Sequence, residues 1–140
     1  MTTEPKLLTI LLVEDDKVDV KNVERALRKN NLSNPLFVAA NGIEALQMLR
    51  DGTVPGHRRL ILLDLNMPKM NGIEFLRALR ADPALTTSTV VVLTTSNDER
   101  DKFAAYNLHV AGYLLKPVTF LSFVELMATL NKYWALVEMP

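Results

Sequence analysis

Four short apolar runs constrain this chain more than any other feature: Leu8–Val13, Leu60–Leu63, Val90–Leu93 and Tyr113–Leu115. All are rich in β-branched residues or leucine, and none alternates with polar residues. Continuous runs of that length predict strands buried on both faces, as in a parallel sheet. A weaker fifth run, Leu36–Ala40, follows the turn signal Ser33-Asn34-Pro35.

Segments with helical spacing lie between the runs. Val20, Val23 and Leu27 recur at three and four residues before the basic, amide-rich stop Arg28–Asn31. Ile43, Leu46 and Leu49 repeat the pattern. Phe75, Leu76 and Leu79 do so again after the turn Lys69-Met70-Asn71-Gly72, and Asp82-Pro83 ends that helix. Asn97 or Asp98 suits the cap of a fourth helix carrying Phe103 and Ala104. Thr119 suits the cap of a last one reaching about Val137. Strand and helix therefore alternate five times. The pattern predicts a doubly wound α/β fold, with helices on both faces and right-handed crossovers. With 140 residues and no linker-like tract, a single domain over 1–140 is expected. The longest interruption is the polar loop Asp51–Arg59, short of a linker.

Composition removes several function classes. The formal net charge is zero and no Lys/Arg-dense helix or arm is present, so a nucleic-acid partner is not expected. There is no cysteine, which excludes disulfides, thiol catalysis and thiolate metal sites. No apolar run is long enough for a membrane span, and Met1 to Lys6 lacks a signal-peptide stretch. A cytoplasmic protein is the expectation. His57 and His109 have no metal-ligand spacing and read as structural or surface residues.

In open α/β sheets the ligand site lies beyond the carboxyl ends of the strands. Polar residues follow the runs there: Glu14, Asp15 and Asp16 after the first, Asp64 after Leu60–Leu63, Thr94 after Val90–Leu93, Lys116 after Tyr113–Leu115. Converging carboxylates repel one another, and a hard divalent cation relieves that repulsion through oxygen ligands. An aspartate can accept a phosphoryl group as a nucleophile. A lysine and a cation neutralise the phosphoryl oxygens during transfer, and a threonine hydroxyl can donate to one of them. Asp16, before a helix, reads more simply as its N-cap.

The set Glu14-Asp15, Asp64-Leu65-Asn66-Met67-Pro68 with Gly72, Thr94, and Lys116-Pro117 resembles the receiver domains of two-component response regulators, over roughly Leu8 to Trp134. That resemblance implies a flavodoxin-like five-stranded parallel sheet in the order 2-1-3-4-5. It implies that Asp64 accepts phosphate from a histidine kinase. Asp15 and Asp64 would ligate Mg²⁺, with the Asn66 backbone carbonyl as a third ligand and Glu14 acting through water. Thr94, Lys116 and the Thr95 backbone would bind phosphoryl oxygens, and the Lys116–Pro117 peptide would be cis. Thr94 and Tyr113 would form the switch, with Thr94 moving to the phosphoryl group and Tyr113 turning inward. One departure is Thr95, where the family often has a very small residue; its branched side chain is expected to narrow access to Asp64.

Two rival readings share parts of this pattern. An aspartate-dependent phosphatase carries a second Asp two residues after the nucleophile, and here that residue is Asn66. A nucleotide- or flavin-binding module needs a Gly-rich phosphate loop, whereas Glu14-Asp15-Asp16 puts negative charge there. A non-phosphorylated scaffold receiver disagrees with the full set of site residues. No output domain is read after the receiver, so output by protein contact or dimerisation is expected, with service only as a phosphate relay or sink as the alternative.

The last helix carries an unusually wide apolar arc: Phe120, Phe123, Val124, Leu126, Met127, Leu130, Tyr133 and Trp134. The arc exceeds the roughly 100° stripe that covering a core requires. Part of it is therefore expected to be an interface, with Phe120, Phe123, Met127 and Trp134 as candidates. A homodimer through the fourth helix, fifth strand and fifth helix is the favoured form. Folding back of Tyr133–Pro140 over its own domain is the alternative. The tail Asn131-Lys132-Tyr133-Trp134 and the long Asp51–Arg59 loop resemble the small response regulators that partner phytochrome kinases.

Overall fold

The structure, a computed structural model, describes residues 8–29, 33–116, 120–137 and 139, with residue 120 described by its backbone alone. Five strands alternate with five helices: β1 Thr9–Val13, α1 Lys17–Lys29, β2 Leu36–Ala39, α2 Gly42–Arg50, β3 Arg59–Leu63, α3 Gly72–Ala81, β4 Thr89–Thr94, α4 Glu99–Asn107, β5 Gly112–Leu115 and α5 Phe120–Leu136. All strand pairs are parallel, in the order β2-β1-β3-β4-β5. The expected fold class and strand order are those observed.

Period-two alternation divides the apolar runs between two cores. Leu11, Val13, Ile61, Leu63, Val90 and Val92 face one side and pack with Leu46, Leu49, Phe75, Leu76, Leu79 and Ala105 from α2, α3 and α4. Ile10, Leu12, Leu60, Leu62, Val91 and Leu93 face the other and pack with Val23, Ala26 and Leu27 of α1 and Phe123, Met127 and Trp134 of α5. Nearly every position of the central strands is apolar because each is covered on both sides.

Helices α2 and α3 open with the same four residues, Asn41-Gly42-Ile43-Glu44 and Asn71-Gly72-Ile73-Glu74. Each Asn side chain accepts the backbone N–H three residues on, at 2.9 Å. At α3 the Glu74 carboxylate also accepts the Asn71 N–H, completing a capping box. Asp98 caps α4, accepting from the Arg100 N–H. Asp16 accepts from the Val18 and Asp19 N–H groups, so its helix-capping role is realised. The expected cap Thr119 and the Lys116–Pro117 peptide lie outside the described residues.

The expectation for α5 is corrected. Phe123, Met127 and Trp134 are buried within this chain and cannot serve as a free interface; the Phe120 side chain lies outside the described residues. Much of the arc is taken up because α5 packs both on the sheet and against α1, while Tyr133 of the arc stays exposed. Val137 and Met139 pack on the same core, but of the Tyr133–Pro140 segment expected to fold back, Tyr133 to Leu136 continue α5, with Tyr133 and Leu136 exposed. The lower end of α5 is further tied down. Arg58, buried at the end of the 51–58 loop with φ 49°, donates to the carbonyls of Trp134 and Val137. Asn34 and Asn131 exchange a reciprocal pair of amide bonds at 2.8 and 2.9 Å, and Asn34 also donates to the Leu8 carbonyl.

Candidate functional site

Parallel ladders extend one residue past the strands and fix the backbones that matter. Glu14 N–H donates to the Ala39 carbonyl, Asp64 N–H to Val13 and Lys116 N–H to Thr94, at 2.8–3.0 Å. Glu14, Asp64, Thr94 and Lys116 are thus set at one edge of the sheet by the same bonds that build it. Gly72 lets α3 start hard against that edge: a Cβ there would lie 2.6 Å from the Asp64 carbonyl oxygen.

The carboxylates of Glu14, Asp15 and Asp64 bring one oxygen each within 4.8 Å of one another, with Glu14 and Asp64 buried and Asp15 exposed. Burial pushes the Glu14 carboxyl up to about 7, against the pull of Lys116 and with help from Asp64. A buried carboxyl with other carboxylates beside it is the condition a divalent cation relieves, and the donor set is all hard oxygen. The residues therefore fit a divalent metal, with Asp15 giving it an open side.

Thr94 is fully buried, and its hydroxyl donates to Asp64 Oδ1 at 2.9 Å. The Asn66 N–H also reaches that oxygen, at 3.3 Å. Asn66 and Thr95 stand exposed beside each other, Nδ2 to Oγ1 3.4 Å. Lys116 does not hydrogen-bond Asp64. Its ammonium donates to Glu14 Oε1, and to Asp19 Oδ2 at 2.7 Å. Burial works against its charge, yet the Asp19 and Glu14 carboxylates outweigh burial and hold its pKa above the ordinary value. Tyr113 is half-buried at the edge of the α2–α3–α4 core, donates from its hydroxyl to the Ser96 carbonyl, and lies 6.4 Å from the Tyr106 ring. Of the sequence-predicted site residues, Glu14, Asp15, Asp64, Asn66, Thr94, Thr95 and Lys116 lie at this edge, whereas Tyr113 packs on the α2–α3–α4 core and Phe123, Met127 and Trp134 lie in the core beneath α5. Asp19 was not singled out by sequence; only its place one helical turn after Asp15 hinted at it.

The model of the response regulator receiver domain matches residues 10–129. This chain belongs to that family. Among relatives, the receiver is 38% identical over 128 residues to the response regulator Rcp1 of Synechocystis, covering 89% of this chain and 87% of Rcp1. Its fold superposes on the phosphorylated cyanobacterial phytochrome response regulator RcpA with a TM-score of 0.82, at 33% identity over 96% of this chain and 99% of RcpA. The bacteriophytochrome response regulator AtBRR gives 0.72 at 38% identity, over 96% and 99%. Rcp1 has also been solved in a Mn²⁺-bound form, superposing at 0.77 with 36% identity over 95% and 99%. The receiver is thus related to phytochrome response regulators. No helix among the described residues is long and apolar enough to cross a membrane.

Proposed function

We propose that this chain acts as one receiver domain over its whole length, a phosphoacceptor that takes a phosphoryl group onto Asp64 from a histidine kinase. The observation that carries the reading is a buried Asp64 that shares one edge with Thr94, Glu14, Asp15 and Lys116. An Asp64 carboxylate oxygen attacks phosphorus, the nitrogen–phosphorus bond of the donor breaks, and the electron pair leaves with the imidazole. Asp15, Asp64 and the Asn66 carbonyl would hold Mg²⁺, with Glu14 reaching it through water. When bound, Mg²⁺ supplies charge neutralisation at the phosphoryl oxygens. Thr94 keeps a hydroxyl beside the acceptor, the Thr95 N–H lies next in the chain, and Lys116 supplies an ammonium. The chain has no turnover on other substrates in this reading; it acts on itself.

A cleft of about 530 Å³ lined by Glu14, Asp16, Asp19, Thr95 and Lys116 opens beside the site, with Leu12, Val23, Leu93 and Phe123 also in its wall. An apolar wall beside an acidic site suits a docking protein better than a small donor. The likeness to RcpA and AtBRR supports a kinase of the phytochrome kind as that partner. On the output side, exposed Phe103 and Tyr106 of α4, Leu115 of β5 and Leu121 of α5 replace the buried α5 aromatics as the contact surface. Dimerisation through that face, driven by the Thr94–Tyr113 switch, is the output we infer.

Intact-mass analysis after incubation with a small phosphodonor and Mg²⁺ tests the acceptor. Wild type should gain one phosphoryl mass and Asp64→Asn none. No gain in wild type, from a small donor or from a kinase, overturns the reading. Light scattering with and without a phosphoryl mimic tests dimerisation; a monomer in both states overturns it.

A further inference from the structure

Lys116 leaves β5, at the opposite edge of the sheet from β2, and β4 lies between it and Asp64 on β3. Its ammonium nevertheless ends on the β1 side, on Glu14 and on Asp19 in the first turn of α1. It crosses the strand ends to get there. The Lys116 side chain is 12% exposed and Asp19 35%, so this ion pair is partly withdrawn from solvent, where Coulomb attraction is less screened than at a free surface. Two of the three ammonium donors are taken, and none is on Asp64 among the described residues. The Asp19 backbone is itself held by the Asp16 side chain, so its carboxylate sits on an anchored turn. The site roles assigned to Glu14, Asp15, Asp64, Thr94 and Lys116 leave Asp19 without one.

Resting on the acceptor reading above, we propose that Asp19 is a positioning residue: it latches Lys116 in an ion pair that the lysine must give up to reach a phosphoryl group on Asp64. An interaction made in the unmodified state alone opposes modification, because a ligand shifts an equilibrium only by its differential interaction with the two states. Asp19 thereby tunes how readily the site is occupied and how long the modification lasts. Glu14 faces the ammonium as well, but it belongs to the acidic cluster; Asp19 is the partner outside that cluster.

The test is titration of the full chain with beryllofluoride, a phosphoryl mimic, at fixed saturating Mg²⁺, followed by ¹⁹F NMR. Asp19→Asn keeps the size of the side chain and removes its charge. It should bind the mimic about threefold to tenfold more tightly than wild type, the span expected for losing one partly exposed ion pair. Asp19→Glu should restore wild-type affinity. Removing any acid near an anion also strengthens binding through space, so the pair is repeated in a Lys116→Ala background. There the gain from Asp19→Asn should shrink to less than about twofold, a coupling that a merely structural effect of residue 19 would not produce. Equal or weaker binding by Asp19→Asn overturns the latch, and so does an undiminished gain without Lys116. Absence of any mimic binding in wild type that Asp64→Asn abolishes is a different failure, which removes the acceptor reading and the latch together.

Discussion

Replacing Gly72 with alanine puts the tightest contact of the site to a direct test. A Cβ at Gly72 would stand 2.6 Å from the Asp64 carbonyl oxygen, 2.7 Å from Leu65 Cα and 2.7 Å from Leu65 Cδ2. Two of those atoms are backbone, and Leu65 is buried, so no flexible side-chain end can yield. Ordinary contact begins near 3.4 Å, so the start of α3 must withdraw by roughly 0.7–0.8 Å. That movement also stretches the Gly72 N–H to Leu65 carbonyl bond, now 3.0 Å. Overpacking of this kind costs about 1–3 kcal/mol and a weakened buried hydrogen bond about 1 kcal/mol, giving about 2–4 kcal/mol in all. Two other glycines calibrate the measurement. At Gly42 a Cβ meets Met70 Cγ at 2.7 Å and Sδ at 2.9 Å, a side chain that can shift, and the Phe75 Cβ at 3.0 Å, so alanine there should cost about 1–2 kcal/mol. At Gly56 nothing lies nearer than 3.8 Å, and alanine should be neutral within about 0.5 kcal/mol. Urea unfolding of the three variants, with unchanged m-values, gives the ranking. Because the Asp64 carbonyl takes the first clash, Gly72→Ala should also lose phosphoryl acceptance under conditions where it is fully folded. A Gly72→Ala variant within 0.5 kcal/mol of wild type, or no costlier than Gly56→Ala, would refute the reasoning.

Three further predictions follow from contacts already described. Arg58→Met removes the donors to the Trp134 and Val137 carbonyls and should lower stability by about 2–4 kcal/mol, measured by urea unfolding; a loss below about 0.5 kcal/mol would show that the loop does not hold α5. Asp15→Asn should weaken Mg²⁺ binding at least about tenfold in isothermal titration, while Asp16→Ala leaves it unchanged and costs about 1 kcal/mol as a lost N-cap. Equal effects on Mg²⁺ from both would dissolve the distinction between ligand and cap. Thr95→Ala should hasten loss of the phosphoryl group, because Thr95 stands exposed at the mouth of the site beside Asn66; a mutant no faster than wild type, followed by intact mass over time, removes that role.

The strands were legible because burial on both faces forbids polar residues, which leaves runs a reader can see without knowing what packs on them. Asp64 and Thr94 were legible for a related reason: each stands directly where a run ends, and the sheet gathers run ends at one edge. The repeated Asn-Gly-Ile-Glu at two helix starts carried its capping signal in plain view: the Asn accepts the N–H of the Glu at both helices, and the Gly leaves room for what packs against each start. The α5 arc misled for a physical reason. Its width measured how many neighbours the helix has, and sequence does not reveal whether the second neighbour is α1 or another molecule. Asp19 and Arg58 were illegible because their partners lie 97 and 76 residues away, respectively, and their side chains are common surface types. Pairings of that kind emerge only once the sheet has set the distances.

The amide pair between Asn34 and Asn131, with the Arg58 clamp one turn further on, makes α5 a beam built in at one end. Such a beam cannot slide along its axis without breaking side-chain bonds to both the β2 entry and the β3 entry. What remains open to it is a small tilt about the clamp, resisted along its length by Phe123 and Met127 in the core. Over the roughly 16 Å between Asn131 and Phe120, a tilt of a few degrees moves the Phe120 end by about 1 Å. On the acceptor reading, a partner that senses Asp64 through α5 should therefore grip its first turns rather than its clamped last ones.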